Sequence, residues 1–138
     1  MVKILTLLLI SGQISAMTIP LNLGELCTPD NKDFIGYRYK ENIPICERNV
    51  SVATKNKVCE RDGVKDRTNY IVDHFNSLSM GGSNDINNLW CEPKSLNTAS
   101  KEAELYNQLK NGTKTQKEVL DELYKLKISI IKKLNKGE

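Results

Sequence analysis

Apolar residues recur along this chain with three different rhythms, and each predicts a different kind of element. The first is a run from Ile4 to Ile10, apolar but for Thr6, behind the lone basic residue Lys3 and ahead of Ser11-Gly12-Gln13-Ile14-Ser15-Ala16. That layout predicts an export signal over 1–16, cleaved after Ala16. A membrane span would need about 20 apolar residues. The second rhythm is that of strands. Tyr70-Ile71-Val72 predicts a short strand leading into Asp73, and Ile86 to Trp90 predicts its return after a polar turn with Gly81-Gly82. The third is helical. Leu96, Ala99, Ala103, Tyr106 and Leu109 recur at helical spacing, opened by Pro93 and Ser95 and stopped by Asn111-Gly112. Thr115 and Glu118 then form a capping box. Behind it Val119, Leu120, Leu123, Ile130 and Leu134 make an apolar stripe, with Lys125, Lys132, Lys133 and Lys136 projecting oppositely as a solvated face.

Ahead of Tyr70 the pattern is weaker. Residues 17–45 hold Pro20, Gly24, Pro29, Gly36 and Pro44 among scattered aromatics, and read as irregular structure. Val52 to Glu60 predicts a short helix ended by Asp62-Gly63. Without repeats, low-complexity segments or a linker, residues 17–138 are expected to form one α+β domain, since they are too few for two cores. Cys27, Cys46, Cys59 and Cys91 all fall in this part. In an exported chain an even count predicts two disulfides, with three connectivities open. Cys27–Cys46 with Cys59–Cys91 is preferred because it closes two separate loops. A four-cysteine zinc site is disfavoured, as no two cysteines form a C-x-x-C pair.

The formal charge is only +3, but it is unevenly spread. From residue 101 onward nine lysines face six acids. A positive C-terminal part can attract phosphate backbones.

The sole histidine, His74, follows Asp73 at a predicted strand end. The Gly81-Gly82 turn comes next, then Asn88 in the return strand, then Asn97 in the first turn of a helix with Lys101 four residues on. Strand, turn, strand, helix is a frame that can draw these residues to one point. Their chemistry suits phosphodiester hydrolysis. A neutral imidazole titrates near physiological pH and can take a proton from water. Oxygen donors on Asp73 and Asn97 suit a hard divalent cation, Mg²⁺ first, with Mn²⁺ or another divalent ion as the alternative. Asn88 can orient the His74 loop or ring by hydrogen bonding, and Arg48 or Lys101 can offset phosphate charge. Trp90 reads as a core residue.

The stretch VDHFNSLSMGGSNDINNLWCEPKSLNTASK, residues 72–101, resembles the motif of HNH endonucleases, and is most similar to small exported bacterial proteins of that superfamily. The upstream stretch Cys46 to Ser51 is similar to theirs as well. The resemblance implies a ββα-metal finger, core 70–110, between a loop-rich disulfide-linked N-terminal part and two C-terminal helices. It also implies that Asp73 and Asn97 are metal ligands, His74 the general base and Asn88 the middle asparagine. Two positions depart from the pattern. Asn97 stands where a histidine is usual, and Phe75-Asn76-Ser77 replaces the usual apolar residue and proline.

The sequence thus leads to a secreted or periplasmic, monomeric, metal-dependent endonuclease. It is expected to cleave DNA, with RNA as the alternative, with little sequence preference, because no base-reading module is recognisable. The rival reading is a catalytically weakened HNH scaffold that binds nucleic acid or protein. A third is a disulfide-stabilised interaction protein in which the motif is coincidental.

Overall fold

A computed structural model describes residues 22–137; the expected export signal lies outside them. The order of elements is β1 (Phe34–Arg38), β2 (Ile43–Cys46), α1 (Val52–Arg61), β3 (Tyr70–His74), β4 (Leu89–Pro93), α2 (Ala99–Lys110) and α3 (Gln116–Asn135). The fold is therefore mixed α+β, with two separate antiparallel pairs, β1–β2 and β3–β4.

The hairpin of β1 and β2 corrects the expectation of irregular structure before residue 46. Gly36 and Pro44 read as breakers, yet each has a place in it. The register slips between Phe34 and Gly36, where Gly36 takes φ +129°, and Pro44 sits opposite Tyr37 in a two-stranded ribbon. Edge positions tolerate a missing N–H. Ile43 and Ile45 alternate inward and are both buried, which gives the ribbon its core face.

The β3–β4 pair runs in register from Tyr70 opposite Pro93 to His74 opposite Leu89. The return strand begins at Leu89 and not at Ile86. Residues Ile86–Asn88 instead form a 3₁₀ turn, capped by the Asp85 side chain accepting from the Asn87 N–H. A pair of strands leaves each outer edge unpaired, an exposure that must be covered. α1 covers the outer edge of β4. Asp62, wholly buried, accepts from the Cys91 N–H at 2.8 Å and from Arg61 Nε at 2.8 Å. Arg61 donates through Nη1 to the Ile86 carbonyl and through Nη2 to that of Leu89, at 2.7 and 2.6 Å. Disulfide Cys59–Cys91 ties the same two elements, and Cys27–Cys46 ties the N-terminal strap to β2. The pairing closes two successive loops.

The predicted helix boundary at Ser95 is also corrected. α2 starts at Ala99, with Thr98 at its N-cap, so Asn97 precedes the helix. The capping box forms as expected. Thr115 Oγ accepts from the Glu118 N–H while Glu118 accepts from that of Thr115. The apolar stripe behind it differs from the one predicted. Val119, Leu123, Lys127 and Ile131 are buried, whereas Ile130 is half-buried. Steps of four residues overshoot one helical turn by about 40°, so the stripe winds from one apolar cluster to another. The first cluster joins Ile43, Ile45, Met80, Leu105 and Leu109 to Val119 and Leu123. The second joins Leu23, Phe75 and Trp90 to Ile131. Among the described residues no helix is long and apolar enough to cross a membrane.

Replacing Asp62 by alanine strands the buried Cys91 N–H and frees the Arg61 guanidinium. We expect Asp62→Ala to cost about 3 kcal/mol of unfolding free energy in urea titration. A change under about 0.5 kcal/mol, the range of an ordinary surface substitution, would show the clamp to be dispensable.

Candidate functional site

His74 ends β3 and is 4% exposed. Two side chains from other elements hold it. Asn84 Oδ1 lies 3.0 Å from Nε2, and Arg48 Nη1 lies 3.5 Å from Nδ1. The orientation of the Asn84 amide is fixed from behind. Its Nδ2 donates to Asp33 Oδ2 at 2.9 Å and to the Glu47 carbonyl at 2.7 Å, both of which only accept. The Asn49 N–H also donates to its Oδ1. Nε2 must therefore carry the proton that Asn84 accepts, which leaves the Nδ1 lone pair unprotonated. Burial is the main cause that holds the imidazole below its usual pKa, with the Arg48 charge acting in the same direction and Asn84 opposing both. These effects together favour the neutral ring, with Nδ1 as the unprotonated nitrogen on its Arg48 side.

Behind Asn84 stands an anion. Asp33 accepts from Asn49 Nδ2 at 2.8 Å as well as from Asn84, and these bonds hold its carboxyl below the usual range. The series Asp33–Asn84–His74 orients the imidazole and favours positive charge developing on it. Sequence reasoning missed Asp33 and Asn84. The only signal was the polar Ser83-Asn84-Asp85 after the double glycine, and nothing there named a partner some 50 residues upstream.

Asn88 is wholly buried and works on the backbone rather than on the ring. Its Oδ1 accepts from the Asn76 N–H at 2.9 Å, and its Nδ2 donates to the carbonyls of Asn76 and Ser83 at 3.0 and 2.8 Å. The Phe75 N–H donates to the Asn88 carbonyl, and Asn76 Nδ2 donates to that of Gly24. The Phe75-Asn76-Ser77 segment is thus pinned at each residue, since Ser77 Oγ also donates to Glu102. Gly81 turns the chain at φ +98°. Gly82 admits the Asn76 carbonyl so closely that a Cβ there would lie 1.9 Å from its oxygen.

Asp73 accepts from the His74 N–H at 2.8 Å and is half-buried. Its register places it on the same face as Trp90 and Glu92, opposite the His74 and Cys91 face. Asn97 is exposed, just ahead of the α2 N-cap. Lys101 is engaged elsewhere, at 2.8 Å from Glu104 and 3.5 Å from Glu122. Of the predicted residues, Arg48 meets the His74 ring, Asp73 takes only its main-chain N–H, Asn88 secures its loop, Lys101 is spent in ion pairs, and Asn97 stands exposed ahead of α2. Trp90 is a core residue.

Among the described residues no group of three or more His, Cys, Asp or Glu side chains is placed to hold a metal ion. Asp73 offers one carboxylate, and the exposed Asn97 one amide oxygen. That donor set fits a hard, weakly held ion of the Mg²⁺ type. The buried Glu92 Oε1, which lacks a hydrogen-bond partner, leaves a further unspent oxygen on the Asp73 face.

The other residue missed by sequence is Lys127, in the buried stripe of α3. Its Nζ donates to the Phe75 carbonyl at 2.6 Å and lies 5.0 and 5.5 Å from the ring centres of Phe75 and Trp90. Burial lowers its pKa, while Glu102, Glu92 and Asp73 counteract. Glu92 is pushed up to about 7, first by burial and then by the Asp73 charge.

No family model, curated protein or solved structure matches the chain.

Two outcomes follow from this geometry. A methyl group at Gly82→Ala collides with main chain, and we expect a loss of about 3 kcal/mol or more by thermal or urea unfolding; wild-type stability would contradict the close approach. Glu92 holds its proton in the folded state at pH values where the unfolded chain has lost it. Folding stability therefore falls as pH rises from about 4.5 through 7. Between pH 5 and 8 the parent should lose about 2 to 3 kcal/mol relative to Glu92→Gln. Parallel stability–pH curves for the two proteins would refute it.

Proposed function

We propose that this chain is a secreted, metal-dependent endonuclease of the HNH type, with β3, β4 and α2 as its ββα-metal finger. The observation that carries the reading is the setting of His74: a buried imidazole whose Nε2 faces the Asn84 carbonyl oxygen, which turns Nδ1, the nitrogen able to act as a base, toward the Arg48 guanidinium. Two disulfides accord with an oxidising compartment outside the cytoplasm.

In this mechanism a water molecule gives its proton to His74 Nδ1 as its oxygen attacks phosphorus and the P–O bond to the leaving oxygen breaks. The leaving alkoxide takes a proton from solvent. As the imidazolium forms, its Nε2–H stays on Asn84, whose amide is backed by the Asp33 carboxylate. Arg48 moves from the imidazole onto a phosphate oxygen, where its fork of donors offsets the charge. Asp73 and Asn97 would hold a divalent cation, Mg²⁺ or Mn²⁺. Bound there, the cation supplies charge neutralisation at the phosphate. The substrate is DNA, with RNA as the alternative, and contacts to the backbone alone give little sequence preference.

A second reading, a binding module on the same scaffold, is favoured by one observation: Arg48 already occupies the side of the ring where the water must sit.

The test is cleavage of plasmid DNA and of RNA by the disulfide-bonded chain with Mg²⁺, Mn²⁺ or EDTA. We expect EDTA to abolish turnover and His74→Ala to lower kcat by about 10² to 10⁴ without unfolding the protein. Arg48→Ala should raise KM. Full activity in His74→Ala would sink the mechanism, and binding without turnover in any metal would select the binding module.

A further inference from the structure

The lysines on and around α3 divide into two groups. Those near the start of α3 are neutralised: Lys117 meets Asp121, Lys114 donates to Glu122, and Lys101 reaches the same glutamate. Lys127 is buried. Beyond it the balance changes. From Leu123 to Gly137 the sequence holds no acid. Lys125, Lys132, Lys133 and Lys136 are exposed, and none has an ion-pair partner among the described residues.

Their arrangement is ordered. Lys125, Ser129, Lys132 and Lys136 follow one line up the helix at i, i+4, i+7 and i+11, with Lys133 beside it. With Tyr124 and Ile128 they line a shallow groove of about 470 Å³. Favourable interaction with the helix dipole explains cations in a last turn, but not Lys125, about two turns earlier. Like charges four residues apart repel, so the stripe is costly to the isolated chain.

We propose that this stripe is a sequence-independent track for the phosphate backbone of a nucleic acid. The identity of the partner rests on the nuclease reading above. The stripe spans about 16 Å at about 1.5 Å per residue, and one DNA strand places a phosphate about every 3.4 Å of axis. Four lysines and four or five phosphates therefore match in length. The track ends against the core that supports the candidate site. The Tyr124 ring at its end packs edge-on against Phe75, centroids 5.7 Å apart, and Phe75 follows His74 in the chain. An anionic membrane attracts lysines too, but a surface-lying helix must sink an apolar face into the lipid. The apolar face of α3 is occupied by the two clusters.

The test is binding by the full chain in EDTA, carrying His74→Ala so that no cleavage interferes. Fluorescence anisotropy of a labelled 20-base-pair duplex is followed across 50 to 300 mM NaCl. It is compared with the same chain carrying Lys125→Gln, Lys132→Gln, Lys133→Gln and Lys136→Gln. The quadruple variant should bind at least about tenfold more weakly at 50 mM salt, with a log–log salt slope flatter by about 3. Unchanged folding by circular dichroism keeps the comparison valid. Parallel slopes overturn the track. So does lysine-dependent binding to phosphatidylserine vesicles without binding to DNA. Failure of the nuclease reading is seen separately: the chain with His74 intact then cleaves nothing in Mg²⁺ while the lysine-dependent slope persists.

Discussion

A single buried amide holds the loop on which the candidate site depends. Two strands cannot satisfy the backbone of a long connection between them, and the 75–88 loop is largely removed from water. Asn88 meets this need with one donor–acceptor head, taking the N–H and C=O of Asn76 and the carbonyl of Ser83. The close approach it demands leaves no room for a Cβ at Gly82. Asparagine suits the position because it both donates and accepts, whereas an aspartate would only accept and a leucine would orphan three main-chain groups. With the loop fixed, the end of β3 is fixed, and His74 meets Asn84 and Arg48 at a defined angle.

Electrostatics divides the β3–β4 pair into two differently charged faces. One carries Asp73 and Glu92 toward α3, where the Lys127 ammonium lies over Phe75 and Trp90. The other carries His74, with Arg48 in front and the Asp33–Asn84 pair behind. Adjacent residues of one strand point oppositely, so Asp73 and His74 occupy unlike environments although they are bonded neighbours. A carboxylate and a neutral base can thus work side by side without pairing with each other.

Much of this was legible in the sequence where one element declares itself locally. The capping box at Thr115, the helix from Val52 and the strand into Asp73 need only neighbouring residues to form, and they fall where the pattern places them. The β1–β2 hairpin was hidden because Gly36 and Pro44 break strands in most settings, and only pairing partners reveal the bulge and edge that accommodate them. Asn97 falls outside the helix because the helix begins only at Ala99, with Thr98 and not Ser95 in the N-cap position. At the site, His74, Asp73 and Asn88 stood out by type and order. Asn84, Asp33 and Lys127 did not, since each acts through a contact at long sequence separation. Lys127 also violates the apolar pattern that would have located it, because its ammonium finds a carbonyl and two ring faces in the interior.

The two disulfides have a consequence for how such a chain matures. Cys27 bonds to Cys46, the next cysteine to follow it, and Cys59 bonds to Cys91, again the next in line. Neither ring encloses a cysteine of the other. A polypeptide oxidised progressively from its N-terminal end therefore meets each correct partner first and reaches the native pattern without reshuffling. An oxidant that joins thiols in order of appearance is enough, and no isomerase is called for.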